Sequence, residues 1–239
     1  MNSLPAQPNQ SLIDGVRLLQ RLAITQEPLA VTLLARELGL EITRTNRLVK
    51  TLAHLGLAYR TQSRKYAAGP AMHVLAAQSL FGSGLIQRAL PHLEKLSSQG
   101  HIVALGVLWE DQISYLYHWS PGLPTYAGLG RVAVCPAERS GMGIILLAQN
   151  SDEALASILR RHRSANNSSY RKLMINIRRA RKTGYGEFMA GNSRSLALAL
   201  GTPPYAALAL SGRIRSSKVA QKVAILSQTK AAIEEVMNK

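Results

Sequence analysis

Apolar residues recur at three- and four-residue intervals from Ser11 to Ala23. This predicts an amphipathic helix burying Leu12, Val16, Leu19 and Ala23. Pro28 interrupts the pattern, and Thr32 then stands as an N-cap before Leu34, Ala35 and Leu38, with Gly39 as the stop. A third periodic segment runs from Thr43 to His54 and ends at Gly56. Two short helices joined by so short a turn form a helix-turn-helix pattern. Residues 57–60 and 65–68 alternate as strands around the polar tip Thr61–Arg64, a hairpin or wing. Gly69-Pro70 punctuates, an Ala-rich helix is predicted over 71–81, and Gly82-Ser83-Gly84 reads as a hinge.

Beyond the hinge a helix is predicted over 85–98, followed by apolar strands at 101–109 and 113–119 around Asp111. Residues 121–136 read as loop. Helices are predicted at 138–149, 152–162 and 170–182, strands at 196–200 and 206–210, and a terminal helix at 216–237. Irregular alternation of strands and helices points to an α+β domain with an antiparallel sheet and flanking helices. The chain divides into a disordered lead-in (1–10), a winged helix-turn-helix (11–70), a linker helix and hinge (71–84) and a second domain (85–239).

Charge adds a partner class. The sequence holds 29 Lys+Arg against 13 Asp+Glu, net +16, which favours polyanionic partners, nucleic acid first. Charge does not say which half binds them. Residues 1–83 hold nine basic and four acidic residues, and the rest hold twenty and nine. Residues 160–182 alone hold nine basic residues and no acid, either a solvated face or an auxiliary surface for DNA phosphates. No apolar run reaches the roughly 18 residues of a membrane span, and the N-terminus lacks a secretory pattern. The single Cys135 fits a reducing compartment, so a cytoplasmic location is expected. The six histidines show no metal-ligand spacing, and no phosphate-binding or nucleophile motif is present. The expectation is a non-enzyme without metal or cofactor.

The third helix carries the specific chemistry. Leu48, Val49, Leu52 and Leu55 share one sector and are expected to face the core. Opposite lie Thr43, Asn46, Arg47, Lys50 and His54, a face without carboxylates and suited to base edges and phosphates. Arg44 and the wing-tip residues Gln62, Ser63, Arg64 and Lys65 complete the expected DNA-binding set. An isolated helix of this kind would more often be an ordinary solvated face. The preceding short helix and the basic-tipped hairpin favour DNA.

These pieces, in order, resemble the IclR family (isocitrate lyase regulator type) of bacterial transcription regulators. The matching stretches are Leu34-Ala35-Arg36-Glu37-Leu38-Gly39-Leu40, Arg47-Leu48-Val49-Lys50-Thr51-Leu52 and Lys65-Tyr66-Ala67-Ala68-Gly69. Later matches are Pro136, Gly143, Leu146-Leu147-Ala148, Ile177-Arg178, Gly184-Tyr185 and Ala209-Leu210-Ser211-Gly212. The sequence departs from the family pattern at Ala137-Glu138-Arg139-Ser140, at Ile144, at Pro203-Pro204, and in an acidic cluster reduced to Glu187.

The resemblance implies a GAF-like second domain with a pocket for a small organic effector, often a carboxylate. Ser195 and Ser211 fall at pocket positions. Gly141 and Met142 would line the cup, with the helix start near Ser140 offering N–H groups to an anion. The plainer alternative is that these small residues pack a sheet against a helix. Trp119 and Tyr126 would wall the pocket or pack elsewhere, and Cys135 is either a neighbour of the cup or a small buried hydrophobe. The implied protein is a homodimer or dimer of dimers on double-stranded DNA, a repressor more than an activator, its operator binding modulated by the effector. A non-specific architectural nucleic-acid-binding protein is the rival reading, disfavoured by an aromatic content of only 5%.

Overall fold

The computed structural model describes residues 7–129, 134–159 and 167–237, which fall into two compact units meeting at Ser83/Gly84. The first unit opens with α1 (Gln10–Ala23), α2 (Val31–Leu38) and α3 (Ile42–His54). It continues through β1 (Ala58–Arg60) and β2 (Tyr66–Ala68) to α4 (Ala71–Ser83). Its core is Leu18, Leu22, Leu29, Leu34, Val49, Leu52, Ala58 and Tyr66. The hairpin pairs antiparallel with Ala58 opposite Ala68, and Leu29 exchanges two 2.8 Å backbone hydrogen bonds with Tyr66. That bridge ties the wing to the chain entering α2.

Several expectations for this unit are corrected. The lead-in was expected to run to residue 10, yet α1 starts at Gln10 and Asn9 caps it, its side chain accepting from the Leu12 N–H. Residues 1–6 lie outside the described ones. The buried face of α1 is Asp14, Leu18 and Leu22, while Leu12, Val16 and Ala23 are exposed. The helix carries apolar residues on two faces, and packing against α3 selects the other one. Helix α2 starts at Val31, preceded by an extended Ala30 that makes no side-chain cap, so Thr32 is not the N-cap. Leu55 lies just past α3 and is exposed; Thr45 takes a buried place instead, its hydroxyl donating to the Glu41 carbonyl at 2.9 Å.

The second unit begins with α5 (Leu85–Ser97), β3 (Ile102–Trp109), β4 (Gln112–Trp119) and β5 (Val134–Pro136). Helices α6 (Gly141–Ala148), α7 (Asp152–Ile158) and α8 (Asn167–Thr183) follow. The unit closes with β6 (Gly186–Ala190), β7 (Ser193–Leu200), β8 (Ala206–Gly212) and α9 (Val219–Met237). Its six strands form one antiparallel sheet in the order β5-β4-β3-β8-β7-β6. Strands β5 and β6 fall where no strand was predicted. Both are short edge strands, and β6 lacks a clean alternation of buried and exposed residues. The helix predicted over 138–149 is broken at Ser140, where the backbone is extended between a short 3-10 turn (Ala137–Arg139) and α6. The end of the helix predicted at 152–162 lies outside the described residues beyond 159.

Side-chain size decides what packs on each face of the sheet. Strands β7 and β8 alternate leucine with alanine. Leu196, Leu198, Leu200, Leu208 and Leu210 point to the face covered by α5 and α9, in a core with Leu93, Leu96, Leu226 and Ile233. Ala197, Ala199, Ala207 and Ala209 point the other way and leave room for α6, whose eight residues are all buried. A helix apolar on every side must be covered on every side, and α7 and α8 supply Leu155, Leu173 and Ile177 over it. The approach is close: a side chain at Gly186 would start 2.0 Å from the Gly141 carbonyl oxygen. Arg181 closes the far end of α6, donating to the carbonyls of Ala148 at 3.0 Å and Asn150 at 2.6 Å and pairing with Asp152.

Candidate functional site

In the first unit, Gly39 takes the left-handed conformation (φ 66°) that ends α2, and its N–H returns to the carbonyls of Ala35 and Arg36. A short turn then delivers α3. Burial of Thr45, Val49 and Leu52 rotates the helix so that Thr43, Arg47, Lys50 and His54 are exposed and Asn46 is partly so. Arg44 stands apart from this row. Its guanidinium pairs at 2.7 Å with the buried carboxylate of Asp14 on α1. At the wing, Thr61 and Lys65 close the turn by mutual hydrogen bonds, with Arg64 at φ 60°. Gln62, Ser63, Arg64 and Lys65 are exposed there, the Ser63 hydroxyl lying 3.0 Å from that of Thr61.

The second unit holds a cup of about 200 Å³ between the alanine face of the sheet and the start of α6. One row of cross-strand partners crosses it: Ile102 opposite Ser211, Ser211 opposite Ser195, and Ser195 opposite Phe188. The Ser211 hydroxyl donates to the Ser195 hydroxyl at 2.9 Å. Ser140 and Met142 line the cup as well. Gly141 is not among the lining residues; it is buried against Ser195, where a side chain would start 2.9 Å from the Ser195 carbonyl oxygen and 3.0 Å from its hydroxyl. No side chain caps the start of α6, and the first N–H groups of a helix have no intrahelical partner.

Residue patterns alone did not point to Tyr115, His118, Arg139 or Phe188, which also line the cup. A bulge explains two of them. Register shifts where Leu105 pairs with Tyr117 but Gly106 with Tyr115. Tyr117 therefore enters the leucine-face core, while Tyr115 and His118 meet edge to face over the cup, ring centroids 5.0 Å apart. Phe188 sits on the unpredicted strand β6. Tyr115 also hydrogen-bonds with Ser140 and Cys135, and burial pushes its hydroxyl above the usual phenol range, with Cys135 adding to the rise and the Ser140 bond opposing it. Trp119 belongs to the opposite core, donating from Nε1 to the Leu123 carbonyl at 2.7 Å, and Tyr126 is exposed, so neither walls the cup. A groove of about 420 Å³ adjoins the cup and shares Arg139 and Phe188 with it. Its Arg179 pairs with Glu187, which also pairs with Arg194 at 2.8 Å.

A winged helix-turn-helix joined in one chain to this α+β domain defines a DNA-binding transcription regulator. Two family models match, the IclR helix-turn-helix domain over residues 11–62 and the bacterial transcriptional regulator IclR C-terminal domain over residues 77–194. The chain belongs to the IclR family of bacterial transcription regulators. The acetate operon repressor of Salmonella typhimurium is 28% identical over 236 residues, covering 89% of this chain and 84% of that protein. An IclR family regulator from Brucella abortus superposes with a TM-score of 0.79 at 20% identity, over 99% of this chain and 96% of that one. An IclR homolog from Microbacterium hydrocarbonoxydans, complexed with 4-hydroxybenzoate, superposes with a TM-score of 0.64 at 20% identity, over 95% and 99%.

Proposed function

We propose that this chain is a repressor that binds its operator as a homodimer or dimer of dimers, and that a small carboxylate in the cup of the second unit changes its operator affinity. The observation that carries the effector reading is the lining of the cup. It combines two paired hydroxyls, Arg139, His118 and the uncapped start of α6, with no carboxylate among its described residues. Hydroxyl, guanidinium and backbone N–H donors converging on an apolar-walled cup suit a compact organic anion. The 4-hydroxybenzoate held by the Microbacterium relative is a carboxylate, which agrees with this reading. The repressor reading draws support from the Salmonella relative's name. A regulator of this kind acts where the chromosome lies, in the cytoplasm.

On DNA, Thr43, Asn46, Arg47, Lys50 and His54 enter the major groove from α3, while Gln62, Ser63, Arg64 and Lys65 meet the flanking backbone from the wing. The dimer reading rests on apolar surface left open in the single chain. Helix α4 carries no charged residue and buries none of its side chains. Val74, Leu75 and Phe81 are more than half exposed, as is Leu12 on α1. The effector acts by binding one arrangement of that dimer better than the other.

A thermal-shift screen of small carboxylates that includes 4-hydroxybenzoate tests the cup. A ligand at a hundred times its Kd stabilises by about 2.7 kcal/mol, which for a domain of this size raises Tm by roughly 5–10 °C. With Ser195 and Ser211 both changed to alanine, the same acid is expected to bind at least about tenfold more weakly, since a single lost hydrogen bond to a charged group already costs about 1.5–3 kcal/mol. An unaltered shift in that variant would remove the acid from the cup.

A further inference from the structure

Neither the recognition face nor the hydrophobic core accounts for Asp14. It shares the buried face of α1 with Leu18 and Leu22 and is 2% exposed. Its Oδ1 accepts from Gln10 Nε2 at 2.8 Å, and its Oδ2, which accepts no hydrogen bond, forms an ion pair with Arg44 Nη2 at 2.7 Å. A buried carboxylate beside an ionic partner is poor value as a stabilising device, because desolvation offsets most of the attraction. Arg44 is equally odd for the fold. It occupies the first turn of α3, where a cation opposes the helix dipole, and its side chain remains 40% exposed.

We propose that Asp14 is a positioning residue for operator recognition. Its carboxylate is the ionic partner that draws the Arg44 guanidinium to the start of the recognition helix, leaving N–H groups there for an acceptor oxygen or nitrogen of the DNA. A guanidinium suits this use, since its planar fork serves two acceptors at once where a lysine ammonium is a single point charge. The proposal rests on α3 being the helix that enters the groove.

Its sign separates it from plain electrostatics. Removing a negative charge beside DNA ordinarily strengthens binding. Asp14→Asn keeps the size of the side chain and is expected instead to weaken binding to an operator selected from randomised duplexes about tenfold, the coupling typical of directly paired residues. The loss is expected to vanish in the Arg44→Ala background, where no guanidinium is left to orient. Arg44→Lys, which keeps a partner for Asp14, is expected to lose operator affinity without losing thermal stability, and stands as the test should Asp14→Asn fail to fold. Operator binding by Asp14→Asn equal to or tighter than wild type overturns the proposal, as does an undiminished loss in the Arg44→Ala background or full affinity in Arg44→Lys. Arg47→Ala, run alongside, keeps the two ideas apart. Retained operator binding in that variant means α3 is not the reading helix, whereas loss there with none in Asp14→Asn defeats only the role given to Asp14.

Discussion

With Arg47 and Lys50 both replaced by alanine, the chain is expected to lose operator binding while unfolding at an unchanged temperature. Both side chains are fully on the solvent side of α3, so neither contributes to the packing of Val49 and Leu52 behind them. An arginine bidentate to guanine is worth about 1–3 kcal/mol of discrimination. Each phosphate contact that is lost also lowers the salt slope of binding by about 1. The pair therefore removes specificity and steering together. Fluorescence anisotropy against the selected operator at several salt concentrations measures both. Binding with wild-type affinity and slope would show that α3 does not face the DNA.

The second large effect is expected at α4. Phe81 is 84% exposed in the single chain, on a helix that has no charged residue and buries none of its side chains. Large exposed apolar side chains grouped in this way mark a surface that another chain covers. In a two-fold dimer any substitution appears twice across the same patch. Phe81→Glu would place two like charges into one apolar interface, at a cost of several kcal/mol. Sedimentation should then show a monomer at concentrations where the wild type is a dimer. Operator binding should collapse to that of a single half-site, although α3 is untouched. A dimer of undiminished strength would assign the interface elsewhere.

Much of the fold was legible because burial follows simple periods wherever one face is plainly apolar. The alternation of leucine and alanine through Leu196–Leu200 and Ala206–Leu210 marks two strands with unlike faces, and α2–α3 with its glycine turn reads directly. Reading failed where two faces compete. Helix α1 carries Leu12 and Val16 on one side and Leu18 and Leu22 on another, and only the docking of α3 decides between them. It also buries an acid, Asp14, against every hydropathy rule, because the partner that makes this tolerable is thirty residues away. The serines of the cup fall at positions the family pattern marks. Tyr115 and His118 did not, since a bulge breaks the two-residue period that would have placed Tyr115 with Tyr117. Arg139 was noticed only as a departure from the pattern, and Phe188 lies on an edge strand too short and too exposed to signal itself. In the basic stretch of α8, Arg179 and Arg181 are held by Glu187 and by the carbonyls that end α6. Part of that charge is therefore structural, and the free surface it offers DNA is smaller than the sequence suggests.

The most direct test of the whole account is the operator affinity of the full chain measured with and without a carboxylate that raises its Tm, in the wild type and in the Ser195→Ala/Ser211→Ala variant. The account predicts that the acid changes the wild-type Kd for DNA by about 5- to 150-fold, the usual range of coupling between two sites, and changes that of the variant far less at the same concentration. An acid that saturates the wild-type protein yet leaves its operator Kd unmoved would contradict it.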